Sequence, residues 1–100
     1  MIELGGNIEL SGFREFDSST MLILKKIVGG YAKRFSDLCD DFEKLSVTMK
    51  EVHKTESSEK YEINAKVINK GKAHTSSITD RNLFFAFDSA LKKIENNLQK

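Results

Sequence analysis

The sequence predicts an α+β domain in the order β-α-β-β-β-α, with an antiparallel sheet and two helices packed on one face. Three observations carry that expectation. Two stretches, 17–38 and 79–98, repeat apolar residues at the i, i+3, i+4 and i+7 spacing of an amphipathic helix. Three shorter stretches alternate apolar and polar residues, the period of two that marks a half-buried strand, and a fourth, polar stretch follows them. Between the last two of these lies Asn69-Lys70-Gly71-Lys72, a hairpin signal, because Gly enters the φ > 0 position of a tight turn without steric cost.

The first strand is expected over 7–13, where Ile8, Leu10 and Gly12 alternate with Asn7, Glu9 and Ser11; it could start near Ile2, with a bend at Gly5-Gly6. Asp17, Ser18, Ser19 and Thr20 are helix-start residues, since short oxygen side chains accept from free backbone N–H groups. Met21, Leu24, Ile27, Val28, Tyr31, Phe35 and Leu38 then share one face of a helix that runs towards the acidic 37–41 run. Acids at that end oppose the helix dipole and argue for an earlier stop. Over 45–52, Leu45, Val47 and Met49 point inward. A polar turn at 55–58 leads to a strand in which Tyr61, Ile63, Ala65 and Val67 alternate, and a polar last strand is expected over 73–79. In the final helix, capped by Thr79 or Asp80, the apolar arc holds Leu83, Phe84, Phe87, Ala90, Leu91, Ile94 and Leu98.

One hundred residues, 39% of them hydrophobic and 31% charged, make a single domain, 1–100, of ordinary globular composition. No apolar run approaches the ~20 residues of a membrane span. The opening MIELGGNIEL is acidic and has no apolar h-region, which argues against a secretory leader. The lone Cys39 excludes an internal disulfide and suits a reducing cytoplasm, and its neighbours Asp40 and Asp41 disfavour a thiolate.

Catalytic chemistry is not written into the chain. His53 and His74 lack a third ligand at metal spacing, neither phosphate-loop glycine pattern is present, and no nucleophile–base set stands out. The expectation is a non-enzymatic protein with no cofactor and no metal.

Charge is segmented beneath a formal net value of +1. Residues 21–36 hold Lys25, Lys26, Lys33 and Arg34 and no acid. Lys26 and Lys33 fall opposite the apolar face of the first helix, with Lys25 at its flank. Gly29 and Gly30 point outward between them, although each costs ~1 kcal/mol relative to Ala in a helix. Either the helix breaks there or a partner approaches its backbone closely. On the last helix, Arg81, Phe85 and Lys92 form a second stripe of cations and an exposed ring. That arrangement suits unpaired bases and phosphates of RNA, or equally a protein interface such as a homodimer.

The element order and the final helix resemble the short ribosome hibernation promoting factors, also called ribosome-associated translation inhibitors. Their last helix reads approximately Tyr-x-Ala-Ile-Asp and then Lys-Leu-x-x-Gln-Leu, where this chain has Phe84-Phe85-Ala86-Phe87-Asp88 and Lys93-Ile94-Glu95-Asn96-Asn97-Leu98. Arg14-Glu15-Phe16, Lys25-Lys26-Ile27, Tyr31 and Lys33-Arg34-Phe35 are similar in kind. The resemblance implies a cytoplasmic protein that occupies the mRNA and tRNA channel of the small ribosomal subunit and inhibits translation under stress or in stationary phase. It also implies that the basic residues of both helices (Lys25, Lys26, Lys33, Lys92 and Lys93) face ribosomal RNA. Phe85 and Gly29-Gly30 depart from the family pattern, and the stop at Gln99-Lys100, without a basic tail or further domain, argues against ribosome pairing. Double-stranded RNA-binding domains share the element order loosely, but their Lys-Lys-x-Ala-Lys cluster is missing at the last helix.

Overall fold

A computed structural model describes residues 2–4, 7–52 and 59–99. In chain order these form β1 (Ile2–Leu4), β2 (Ile8–Ser11), α1 (Ser18–Leu38), β3 (Phe42–Val52), β4 (Lys60–Asn69), β5 (Lys72–Asp80) and α2 (Leu83–Leu98). The strands lie side by side in that same order. The expected first strand is therefore two, β1 pairing antiparallel with β2 through Ile2↔Leu10. His53, Gly5-Gly6 and the 55–58 turn fall outside the described residues.

The sheet is mixed, which corrects the expectation of an antiparallel one: β2 and β3 run parallel through Leu10↔Val47, whereas the other three pairs are antiparallel. The reason is α1. A helix between two strands carries the chain back to the end where the first strand began, so the next strand runs the same way.

Local chemistry explains the element boundaries. The Asp17 carboxylate accepts the Thr20 N–H at 2.8 Å and caps α1; the Thr20 hydroxyl first, and then this backbone bond, hold its pKa below the ordinary carboxylate value. The helix ends at Leu38, at the acidic run as its periodicity predicts, so the acids do not stop it earlier. Asp40 and the nearby Glu43 serve the β4–β5 turn instead. Asp40 pairs with the Lys70 ammonium at 2.9 Å, and the Glu43 carboxylate accepts the Gly71 N–H at 3.1 Å. Lys70 (φ 53°) and Gly71 (φ 75°) have the two positive φ angles of a type I′ hairpin turn. Helix α2 begins later than expected. Thr79 and Asp80 finish β5, because β4 pairing continues to Tyr61↔Asp80, and Asn82 caps the helix by accepting the Phe85 N–H at 3.0 Å.

Both helices pack on the sheet face that carries Leu10, Leu45, Val47, Met49, Ile63, Ala65 and Val67, all buried with Leu24, Phe35, Phe87 and Ile94. Burial of the Cys39 thiol, reinforced by Asp40, pushes its pKa up, away from thiolate chemistry. The Ser76 hydroxyl donates to the Ala90 carbonyl at 2.6 Å and fixes α2 against β5. Ala86 replaces Phe84 in the buried arc of α2, and Phe84 moves to the rim at 36% exposure.

Gly12 ends β2 at φ +86°, where a Cβ would collide with the Met49 carbonyl oxygen. Only Gly lets the chain turn there and send Phe13 into the core. Gly12→Ala is expected to cost about 2–4 kcal/mol, a left-handed backbone penalty plus a backbone clash. A lowered urea midpoint would show it, and an unchanged one would refute it.

Candidate nucleic-acid interface

The helix layer is built on parallel helices. Tyr31 of α1 donates its hydroxyl to the Asp88 carboxylate of α2 at 3.0 Å, and Arg34 meets Glu95 at 3.4 Å two turns further on α2. Burial, then the Asp88 bond, raises the Tyr31 pKa to about 12. Arg34 also lies over the Tyr31 ring, 5.0 Å from its centroid. Arg34 thus belongs to the seam between the helices, facing Glu95, with its side chain still 60% exposed.

Lys25, Lys26 and Lys33 are exposed on α1, and among the described residues no ion pair engages them. Lys26 stands at the mouth of the seam with Gly30, Tyr31 and Asp88. Lys33 lies further out, and Lys25 lies on the flank away from α2, from the ~100° advance per residue. Helix α1 is continuous through Gly29 and Gly30, which removes the broken-helix alternative. A Cβ on either glycine would meet nothing within 4 Å, so neither is required by internal packing. The double variant Gly29→Ala, Gly30→Ala should raise stability by about 1–2 kcal/mol, read as a higher thermal midpoint. If the bare backbone receives a ligand, the same variant should bind it more weakly while folding better.

On α2, Phe85 is 58% exposed and Lys92 is exposed beside it on the outer face. Arg81 does not join them on the helix, because it precedes the Asn82 cap in the β5–α2 connection. Lys93 parts from Lys92 altogether. It lies on the flank of α2 away from α1, beside Thr75, Asn96 and Asn97. The expected eight-residue set therefore divides. Lys26, Lys33, Phe85 and Lys92 share the outer surface of the helix layer, whereas Lys25 lies on the far flank of α1, Arg34 faces Glu95, Arg81 sits at a turn and Lys93 turns towards the sheet edge.

Two features escaped the periodicity. Leu22 (58% exposed) and Ile23 (45%) lie outside the core on α1. The signal was Met21-Leu22-Ile23-Leu24, an apolar run too wide for one helix face. The second is the sheet face turned away from the helices, paved with short polar side chains. Among the described residues no cluster of three His, Cys, Asp or Glu could hold a metal, and no helix is long and apolar enough to cross a membrane.

Neither a protein-family model nor a curated protein sequence matches the chain. Solved structures do. The N-terminal domain of Thermus thermophilus Protein Y superposes with a TM-score of 0.59 at 14% identity, covering 92% of each chain. A ribosomal subunit interface protein from Coxiella burnetii superposes with a TM-score of 0.61 at 16% identity, covering 93% of each chain. The chain thus has, over nearly all its length, the fold of the Protein Y N-terminal domain and of this ribosomal subunit interface protein, the fold that the resemblance implied.

Proposed function

We infer that the chain is a non-enzymatic, cytoplasmic ribosome-binding factor. Its ligand is ribosomal RNA of the small subunit, and it inhibits translation in stress or stationary phase by filling the mRNA and tRNA channel. The observation that carries this reading is the exposed surface of α1, where Lys26 and Lys33 on the outer face and Lys25 on its flank surround two glycines with no ion pair among the described residues. Lysine binds phosphate as a point charge, and bare helix backbone allows close approach. The shared fold with a ribosomal subunit interface protein supports the choice of partner. Steric occlusion needs no catalytic group.

Co-sedimentation with purified small ribosomal subunits tests it, at ~0.1 M and ~0.5 M salt to span weak and strong screening. Stoichiometric pelleting at the lower salt, lost at the higher, is expected, because each neutralised phosphate releases condensed counterions. Absence of pelleting at both would refute the reading.

A protein contact is the second reading, favoured by the exposed Leu22, Ile23, Phe84 and Phe85. The helices are parallel, and Phe84 and Ile27 each lie one turn before the Asp88–Tyr31 contact, so these apolar residues gather at one end of the layer. A homodimer or partner held there would survive high salt and be disrupted by Phe85→Asp.

A further inference from the structure

The sheet face away from the helices carries a site that the helix reading does not use. In register across β3, β4 and β5, Ser46 stands beside Lys66 and Lys66 beside Thr75, while Thr48 stands beside Asn64 and Asn64 beside Ser77. These short side chains leave a trough over the middle of the sheet, and Lys93 closes it from α2, past the edge strand β5.

The lining selects a class of ligand. Hydroxyl and amide groups donate and accept, and Lys66 and Lys93 are the two charged residues among those that line the trough. No carboxylate lines it. Of the acids nearby on this face, Glu9 is held by Lys44 at 2.9 Å, and Glu62 stands opposite Lys50. The lining has no aromatic ring on which a base could stack, and Ala65 is its one apolar residue, so an apolar peptide finds nothing to bury. Three adjacent strands span about 10 Å, room for one extended backbone. We propose that this trough binds the sugar–phosphate backbone of single-stranded RNA, with phosphates on Lys66 and Lys93 and 2′-hydroxyls on the Ser, Thr and Asn side chains. Binding is indifferent to base sequence, since phosphate and sugar contacts carry none, and prefers RNA to DNA through the 2′-hydroxyl. The inference goes beyond the ribosome reading and involves no residue of α1.

The test is titration of the folded protein with a single-stranded uridine oligonucleotide of about ten nucleotides and its 2′-deoxy counterpart, followed by amide NMR shifts and fluorescence anisotropy. Shifts are expected at Ser46, Thr48, Asn64 and Ser77, with tighter binding of the ribose form. Affinity should fall about sevenfold between ~50 and ~200 mM salt, because two neutralised phosphates on a single strand give a slope near −1.4. The Lys66→Glu, Lys93→Glu variant should lose at least about tenfold in affinity, since both phosphate contacts become repulsive. In the Lys26→Glu, Lys33→Glu variant the oligonucleotide-induced shifts at Ser46, Thr48, Asn64 and Ser77 should persist. No binding, equal binding of the deoxy form, or an unaffected Lys66/Lys93 variant overturns the proposal. Shifts confined to α1 also overturn it, while leaving the ribosome reading intact. Loss of ribosome pelleting with oligonucleotide binding retained would do the reverse.

Discussion

Replacing Lys26 and Lys33 with Glu is expected to reduce binding to small ribosomal subunits by about 100-fold or more, because each charge-assisted phosphate contact is worth roughly 1.5–3 kcal/mol. These two are chosen because both are exposed on the outer face of α1 with no ion pair among the described residues, whereas Arg34 faces Glu95. Reversal removes two attractions and adds two repulsions at the same points. The fold should be untouched, since exposed substitutions away from caps and buried networks stay within about 0.5 kcal/mol. The measurements are pelleting at ~0.1 M salt, where screening is modest, and a urea midpoint for the same protein. Wild-type pelleting by the variant would mean that the outer face of α1 is not the RNA surface.

What the sequence disclosed was what depends on neighbours in the chain. The alternation of Leu45, Val47 and Met49 with Ser46 and Thr48 sorted β3 correctly, because a period of two places side chains on opposite faces in any setting. The turn at Lys70-Gly71 was equally legible, being set by the φ angles those residues tolerate. The parts that misled were decided across the chain. Thr79, Asp80 and Asn82 can all cap a helix, and β4, pairing as far as Tyr61↔Asp80, chose Asn82. The pairing of Arg34 with Glu95 was not legible, because the two lie 61 residues apart in sequence. Lys92 and Lys93 are adjacent, yet ~100° of rotation sends one to the outer surface and the other to the sheet edge. The helical period already separated them; the packing of α2 beside α1 and β5 showed which flank Lys93 takes.

The largest stability effect is expected at Phe87→Ala, two residues from a Phe whose loss should hardly register. Phe87 is fully buried, and its ring meets Phe13 edge-on, with centroids 5.7 Å apart. Phe13 in turn lies 6.1 Å from Phe16, so removing Phe87 opens a void at the end of a chain of rings. Truncating a buried Phe costs about 3–5 kcal/mol, the lost transfer energy plus the cavity. Against a total of roughly 5–15 kcal/mol for a domain, that is a large fraction. Phe85, on the same helix, is 58% exposed, and Phe85→Ala should shift stability by no more than about 0.5 kcal/mol. Urea unfolding of the two variants side by side checks both statements. Equal midpoints would contradict the packing of α2. Unequal midpoints in the expected order would leave Phe85 as an aromatic ring that the fold does not need, in a place where only a partner would use it.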